Sequence, residues 1–288
     1  MAKEFIYDAF VVEGEENSGN AAHIYLDADN LTAEDKASLA KKSSLKDVVF
    51  VSKPTLARAH YKLEYYMDGE QTLISGHPTI AAFVCMYENS SMSEGAYSVE
   101  LVNGRIVYVA YKDGKVFLEQ EHPVYEEPSM EDIMSILDAT GLTLADLIPN
   151  HMPMLVLASN KSMVVGVKSM DKLKAIQPSF EKLKNISEEL EVVGFIFYTA
   201  ETVHEDSDFS TRVFAPAVGV NEDSASGTLA GALGCYIYDL QEAEQDTFSI
   251  EQGYFMEQPR PSFVKVYMET EERKFLGPRV GGKARQAK

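Results

Sequence analysis

The 288-residue sequence predicts an α+β protein made of two pseudo-symmetric halves, each with one helix buried among strands. Many short strands are separated by few helices, and most strands follow one another too closely for the helical crossovers of a doubly wound sheet. Two helical segments are apolar on all sides, as expected of a helix enclosed by other structure. These two segments also repeat one another about half a chain apart.

The elements of the first half follow from local patterns. Thr32 precedes a helical pattern, with Asp35 three residues later, which predicts a capped helix over Thr32–Lys42. Asn103-Gly104 and Asp113-Gly114 are typical of hairpin turns between strands. Apolar or alternating runs predict strands at Phe5–Val12, His23–Asp27, Val48–Ser52, His60–Tyr66, Tyr97–Val102, Arg105–Tyr111 and Lys115–Glu121.

The second half shows the same mixture. Helical spacing predicts helices over Ser129–Ala139 and Pro178–Glu189. Strands are predicted at Leu155–Ala158, Val192–Thr199, Asp208–Ala215, Thr247–Glu251 and Ser262–Met268. The basic, polar tail from Lys283 to Lys288 is expected to be frayed.

The two enclosed helices are predicted at Pro78–Tyr87 and Leu229–Asp239, within segments that begin alike. SGHPTIAAFVCMY starts at Ser75 and SGTLAGALGCYIY starts at Ser226, 151 residues later, with four identities in thirteen positions. Each helix start presents backbone N–H groups that have no partner within the helix, which predicts a site for an anion. The acids and hydroxyls of NEDSAS before the second helix are either helix caps or part of that site.

The composition argues against several function classes. A net charge of −19, from 26 basic and 45 acidic residues, disfavours nucleic acid and anionic membranes as partners. No apolar run is long enough to cross a bilayer, and Met1–Asp8 carries no secretion signal. Two cysteines are typical of a reducing cytoplasm. No metal-ligand spacing, GxGxxG or P-loop occurs, so we expect a cytoplasmic protein that uses neither a metal nor another cofactor.

Short segments of recognisable type occur in a fixed order along nearly the whole chain. They are GNAA at Gly19–Ala22, LKDVVFV at Leu45–Val51, GHPT at Gly76–Thr79, DFSTRVFAP at Asp208–Pro216, EDSASGT at Glu222–Thr228, and QG with RPS at Gln252-Gly253 and Arg260–Ser262. Together these segments resemble the phenazine-biosynthesis PhzF-like proteins, which have the diaminopimelate-epimerase-like fold.

The resemblance implies that each half is a β-barrel-like sheet around its central helix, with the active site in the cleft between the halves. We expect residues 1–122 and 270–288 to form the first half and residues 123–269 the second, because the last strand should return to the first half. The resemblance also implies an isomerase that moves a proton, and with it a double bond, in a small cyclic amino acid without a cofactor. A small anionic substrate and a second copy of the chain, in a homodimer, are the expected partners.

The resemblance also assigns roles to residues of this chain. Asp47 matches a Glu that acts as general acid and base, with His77, Asp223 and Thr228 as catalytic helpers. The expected substrate-binding residues are Asn20, Ser75, Gly76, Ser226 and Gly227. In the epimerase relatives a cysteine precedes each central helix, but here both positions hold serine. A serine hydroxyl is too weakly acidic to exchange protons unaided near neutral pH, so a two-thiol racemase is disfavoured.

The sequence departs from the family pattern at several positions. Asp47 is one methylene shorter than Glu, Thr228 replaces Ser, and Ser224 replaces Pro. Two extra residues lie between Gly253 and Arg260. These differences concern the substrate and the activity more than the fold.

Each candidate also has a plain structural interpretation. Asp47 could be a turn acid, His77 a polar cap, Asp223 a helix N-cap and Asn20 a turn former. Arg212 is expected to be a structural charge and not a clamp for the substrate.

Two function classes therefore remain, a proton-transferring isomerase and a non-catalytic protein that binds a small molecule on the same fold. An Asp47 carboxylate within about 4 Å of His77 or Asp223 favours the enzyme, because proton transfer needs hydrogen-bond reach, directly or through one water. An Asp47 side chain turned to solvent favours the binding protein.

Overall fold

Two groups of strands, each with a helix at its centre, make up the structure. The computed structural model describes residues 2–241, 243–271 and 274–287. The chain divides into a first unit, Met1–Glu119 with Gly281–Lys288, and a second unit, Gln120–Val280. The sequence predicts 123–269 for the second half, and the second unit extends beyond these bounds at both ends.

The first unit is a sheet with a helix packed on each face. Its elements are β1 (Lys3–Ala9), β2 (Asn20–Leu26), α1 (Ala33–Lys42), β3 (Asp47–Ser52), β4 (Tyr61–Met67), β5 (Glu70–Thr72), α2 (Gly76–Asn89), β6 (Gly95–Glu100), β7 (Ile106–Lys112), β8 (Lys115–Glu119) and, from the C-terminal end of the chain, β18 (Ala284–Gln286). Strand β2 is parallel to β3 and β4 is parallel to β6, whereas the pairs β1–β2, β3–β4, β4–β5, β6–β7, β7–β8 and β1–β18 are antiparallel.

Strand β3 shows why both faces of this sheet are covered. Val48 and Phe50 belong to a cluster with residues of β2, β4 and α1. Side chains alternate along a strand, so Val49 and Val51 point to the opposite face, and both are buried. On that face α2 contacts β1, β2, β3, β8 and β18. Ten consecutive residues of α2, His77–Met86, are buried, which confirms the first predicted central helix.

The second unit contains the same kind of sheet, with more helices. Its elements are β9 (Val124–Glu126), α3 (Met130–Thr140), β10 (Met154–Leu157), β11 (Lys161–Gly166), α4 (Met170–Lys174), α5 (Phe180–Leu190), β12 (Gly194–Thr199), β13 (Phe209–Ala215), β14 (Val220–Asp223), α6 (Gly227–Cys235), β15 (Thr247–Gln252), β16 (Ser262–Glu271) and β17 (Lys274–Gly282), which crosses the unit boundary at Gly281.

Strand pairing in the second unit repeats that of the first. Strand β11 is parallel to β12 and β13 is parallel to β15, whereas the pairs β10–β11, β12–β13, β13–β14 and β15–β16 are antiparallel. Residues of β12 are buried on both faces, since Phe195 and Phe197 pack with α3, α4 and α5 while α6 also contacts β12. All residues of α6 except Thr228 are buried, which confirms the second central helix and the pseudo-symmetric fold.

The predictions that the structure corrects include the ends of the first strand and of the second central helix, and the frayed tail. The first strand ends at Ala9 and not at Val12, because Phe10 has a left-handed backbone with φ of 60°. The α-helix predicted to reach Asp239 ends at Cys235 and continues as a π-helical turn over Tyr236–Leu240. The tail predicted to be frayed contains β18, which pairs with β1 so that Tyr7 lies opposite Gln286. In the described ranges, no helix combines the length and apolarity that crossing a membrane requires.

Candidate active site

Asp47 and His77 lie side by side in the first unit. Asp47 is the first residue of β3 and lies opposite Met67 of β4, and its side chain is 14% exposed. His77 is the second residue of α2, with a side chain that is 10% exposed. The Nε2 atom of His77 is 3.6 Å from the Oδ2 atom of Asp47. This distance is within the 4 Å limit that favours proton chemistry.

The His77 ring has unused hydrogen-bonding capacity. Its Nε2 atom is buried and has no hydrogen-bond partner among the described residues. The 3.6 Å separation from Asp47 is longer than an ordinary hydrogen bond. Buried polar atoms without a partner are rare in folded proteins, and they are expected where a ligand or water completes the site. An imidazole and a carboxylate held in this way can exchange a proton with a third group placed between or beside them.

Ser75 connects this pair to the core of the first unit. Its hydroxyl donates to Oδ1 of Asp47 over 3.3 Å. Its backbone carbonyl accepts a hydrogen bond of 2.7 Å from the Thr79 hydroxyl. The Thr79 hydroxyl also pairs with the Tyr65 hydroxyl at 2.8 Å, and both side chains are buried. Burial raises the pKa of Tyr65, so this phenol stays neutral and serves as a fixed anchor.

The start of α2 offers donors to an anion. Gly76 and His77 are its first residues, and their N–H groups have no acceptor within the helix because each would need a carbonyl four residues earlier in it. Pro78 has no N–H, which suits the first turn. The side chain of Ser75 makes no capping hydrogen bond within the part of the chain that the structure describes. Helix starts of this kind bind carboxylate or phosphate groups.

Asn20 lies at the same edge of the first sheet as Asp47. Strands β2 and β3 are parallel, with His23 opposite Val48, so both strands begin at one edge. Gly19, immediately before Asn20, has φ of +86°, and a Cβ there would lie 2.5 Å from the carbonyl oxygen of Ala9. Only glycine fits this turn without a shift of the backbone. The glycine therefore fixes where Asn20 enters β2.

The remaining predicted site residues gather in the second unit. Asp223 ends β14, and its Oδ1 atom accepts a hydrogen bond of 3.3 Å from the Ala225 N–H. Ser226 is the N-cap of α6, and its hydroxyl accepts from the Leu229 N–H at 3.4 Å. Gly227 and Thr228 are the first two residues of that helix.

Gln252 organises this loop, although sequence reasoning assigned it no role. Its buried carboxamide donates to the carbonyl of Asp223 at 2.7 Å and accepts from the Ser226 N–H at 3.3 Å. A Cβ at Gly253 would lie 2.1 Å from the carbonyl oxygen of Arg260. The backbone at residue 253 can therefore approach that of Arg260 this closely only as glycine. The QG and RPS segments thus support the Asp223 loop. Their place in the family pattern was the only sequence signal, because the contacts join distant parts of the chain.

Arg212 has a structural role, as predicted. Its guanidinium forms two hydrogen bonds with Glu222, at 2.8 Å and 2.9 Å, and donates to the carbonyl of Ile176 at 2.8 Å. The Arg212 side chain is 8% exposed and that of Glu222 is 13% exposed. This buried, bidentate pair joins the neighbouring strands β13 and β14, and the bond to Ile176 adds the segment after α4.

The structure therefore brings the predicted residues together in two groups. The first unit holds Asp47, Ser75, Gly76 and His77, with Asn20 at the same sheet edge. The second unit holds Asp223, Ser226, Gly227 and Thr228. That the two groups surround one substrate stays a prediction. The described ranges contain no set of three or more His, Cys, Asp or Glu side chains arranged to hold a metal ion.

Comparison with known proteins identifies the family. The family model described as phenazine biosynthesis-like protein matches residues 7–286. The uncharacterized isomerase YfhB of Bacillus subtilis is 29% identical over 255 residues, which are 86% of this chain and 84% of that protein.

Solved structures of similar proteins share the fold. A PhzF-family phenazine biosynthesis protein from Bacillus anthracis matches with a TM-score of 0.85 and 23% identity, covering 100% of this chain and 98% of that one. A predicted epimerase from Pseudomonas aeruginosa matches with a TM-score of 0.78 and 19% identity, covering 99% and 97% of the two chains. These matches confirm the predicted epimerase-like fold, and with the match of the family model over nearly the whole length they show that this chain belongs to the phenazine biosynthesis-like protein family.

Proposed function

We propose that this chain is an isomerase that moves a proton within a small carboxylate or amino-acid-like metabolite, with Asp47 as general acid and base and His77 as its partner. The observation that carries the proposal is the 3.6 Å distance between Asp47 and His77, both largely buried. A turn acid or a polar cap has no need of such a neighbour. This geometry favours the enzyme over the non-catalytic binding protein, for which Asp47 would face solvent.

The proposed reaction needs only groups that the chain supplies. The Asp47 carboxylate removes a proton from a carbon of the substrate and returns it at another position, while His77 holds or donates a proton as charge moves. The free N–H groups at the start of α2 bind the carboxylate of the substrate and orient it. Proton transfer of this kind requires no redox group, so we expect activity without a cofactor.

The comparisons support an isomerase in general terms. The Bacillus subtilis relative is named an isomerase, and the Pseudomonas aeruginosa neighbour is named an epimerase. Thiol chemistry does not fit this chain, since Cys85 and Cys235 are both fully buried. Burial raises the pKa of Cys85 to about 12 and also raises the pKa of Cys235, so neither forms a thiolate near neutral pH. A carboxylate and a histidine remain as the acid–base pair. We expect the enzyme to act in the cytoplasm as a homodimer.

Solvent exchange tests the proposal directly. The purified chain is incubated in D₂O with a panel of small carboxylic and amino acids, and deuterium at carbon is followed by mass spectrometry. We expect at least one compound to exchange. Asp47→Asn and His77→Gln should each slow exchange by about 10²- to 10⁴-fold, the usual contribution of a general acid or base. Asp206→Asn, which alters an exposed acid, is the control and should exchange at the rate of the unaltered chain.

The outcomes separate the two function classes. If acetate or a panel member binds in calorimetry but no compound exchanges, the chain is a binding protein. If compounds exchange equally well in Asp47→Asn, the acid and base lie elsewhere. Asp223→Asn and Thr228→Ala test whether the second group takes part, because a shared substrate requires that each of them slows exchange.

A further inference from the structure

The two N-cap serines use their hydroxyls differently. An N-cap serine normally accepts a hydrogen bond from the N–H two or three residues later. Ser226 does so, with Leu229 three residues later as the donor. The residue three positions after Ser75 is Pro78, which has no N–H. Proline therefore removes this capping donor, and the Ser75 side chain makes no bond to the start of its own helix in the described chain, so its orientation is set by the O–H that it donates to another partner.

That partner is the proposed acid and base. The Ser75 hydroxyl donates to Oδ1 of Asp47 at 3.3 Å, while Oδ2 of the same carboxylate faces Nε2 of His77 at 3.6 Å. The two oxygens are thus distinguished, one by the serine and one by the histidine. Rotation of the Asp47 carboxylate about its Cβ–Cγ bond would break the hydrogen bond from Ser75. It would also turn a different lone pair toward His77.

Ser75 is itself held in place from the core. Its carbonyl accepts from the hydroxyl of Thr79 at 2.7 Å and from the N–H of Thr79 at 3.3 Å. Tyr65 fixes the Thr79 hydroxyl from the sheet. Tyr65 is 1% exposed and Thr79 is 0% exposed, so these contacts are shielded from water. The chain of contacts ends at Asp47, at the start of β3.

We propose that Ser75 is a positioning residue, which orients the Asp47 carboxylate toward His77 and does not itself bind the substrate. The inference rests on the proposed function of Asp47 and His77. In this role the serine hydroxyl gives the Asp47 carboxylate a defined orientation beside His77. This role would replace the one predicted from the sequence, in which Ser75 contacts the substrate.

Two measurements on the full chain test this role. The first needs no substrate and reads the ¹⁵N NMR signal of the His77 ring in histidine-labelled protein, with His77→Gln to assign it. Ser75→Ala should shift the Nε2 signal, because the facing carboxylate loses its fixed orientation, and Ser75→Thr, which keeps the hydroxyl, should restore it. Ser90→Ala removes a hydroxyl at the other end of the same helix, where it bonds to Met86, and should leave the signal unchanged.

The second measurement uses whichever panel compound exchanges in D₂O. Ser75→Ala should lower kcat by about 10- to 100-fold, the size expected of a displaced catalytic group, with KM changed little. Ser75→Thr should recover most of the rate. If Ser75→Ala does not fold, Ser75→Cys takes its place with the same expected direction, since a thiol is a weaker donor.

Distinct results would overturn the inference. An unchanged His77 signal in Ser75→Ala shows that the serine does not orient the pair. A raised KM with unchanged kcat shows instead that Ser75 contacts the substrate. Failure of every compound to exchange with the unaltered chain counts against the proposed function, while the NMR result still decides whether Ser75 positions Asp47.

Discussion

The two units share a frame, namely the same strand pairing around a central helix, but they differ in the residues at the candidate site. Pairs of acids 151 residues apart occupy equivalent positions, as the two helix-start serines do. Glu100 in β6 accepts hydrogen bonds from the N–H groups of Thr55 and Leu56, at 2.7 Å and 2.9 Å. Glu251 in β15 accepts from the N–H groups of Val203 and His204, at 2.9 Å and 2.7 Å.

A second pair of acids follows the same repeat. Tyr7 donates to Glu88 at the end of α2, and Tyr125 donates to Asp239 after α6. In each unit a phenol from a neighbouring strand therefore closes the C-terminal end of the central helix. The two acids therefore keep equivalent positions, although their phenol donors come from β1 and β9, which are not equivalent strands.

The proposed chemistry is not duplicated. Asp47 begins β3, whereas Gly194 begins the equivalent strand β12. His77 is the second residue of α2, whereas Thr228 is the second residue of α6. The acid of the second unit, Asp223, lies at the end of β14 instead. The repeated contacts therefore maintain the fold, while the residues that break the repeat are the candidates for function.

The largest expected effect concerns a loop that only the first unit has. Residues 10–19 join β1 to β2, whereas a short turn joins β10 to β11. Gly19→Ala should destabilise the chain by roughly 3 kcal/mol, for two reasons. A residue with a Cβ is strained in a left-handed backbone, and this Cβ would also clash with the carbonyl oxygen of Ala9. Chemical denaturation measures the loss.

Gly14→Ala is the matched control for this change. Gly14 has the same φ of +86°, but a Cβ there meets no described atom within 4 Å. It should cost about 1 kcal/mol, from the backbone alone. Equal losses of unfolding free energy in the two variants would show that the close approach of Gly19 to Ala9 is not needed to hold the loop. The position of Asn20 would then not depend on this approach.

Much of this frame could be predicted from the sequence because it depends on burial. A helix with no polar face must be enclosed, so the segments after Ser75 and Ser226 revealed both central helices and the repeat. The family resemblance was recognisable because the short motifs occur in a fixed order along the chain. Helix caps such as Thr32 with Asp35 were also readable, since both partners lie within four residues.

The contacts that the sequence did not reveal join residues far apart in the chain. Nothing near Gln252 indicates that its carboxamide holds the Asp223 loop. Glu100 and Glu251 resemble surface acids until the strands bring two N–H groups to each. The tail from Lys283 is polar and short, yet backbone pairing with β1 orders it, and composition does not report such pairing.

An intermediate effect is expected at the duplicated glutamates. Glu100→Gln and Glu251→Gln should each destabilise the chain by about 2 kcal/mol, because hydrogen bonds to a charged acceptor are replaced by weaker ones and one oxygen becomes an NH₂. Neither change should alter deuterium exchange at pH 7 in a folded sample. If only one of them is costly, the two contacts are not equivalent, and the duplication is less detailed than the geometry indicates.

The pH dependence of Glu100→Gln sharpens this test. Burial alone would raise the pKa of Glu100, but hydrogen bonds from Thr55 and Leu56 outweigh it and hold the pKa below its ordinary value of 4.5. A carboxylate whose pKa is lowered by folding stabilises the protein above that ordinary value and loses this contribution as the pH falls. The difference in unfolding free energy between the unaltered chain and Glu100→Gln should therefore be largest at pH 7. It should decrease as the pH falls below about 4.5. A gap that widens on acidification would contradict the assignment.

The smallest expected effect compares the two helix-start serines. Ser226→Ala should destabilise the chain by about 1 kcal/mol, because the Leu229 N–H loses its cap. Ser75→Ala should cost less than half of this, since its hydroxyl caps nothing in the described chain and its bond to Asp47 is long, at 3.3 Å. The denaturant midpoints of both variants rank the two losses of stability, with Ser90→Ala measured as a control. Equal losses would mean that Ser75 serves its helix as Ser226 does. The opposite ranking would mean that the bond to Asp47 stabilises the fold more than a cap does, and the serine would then be a structural residue first.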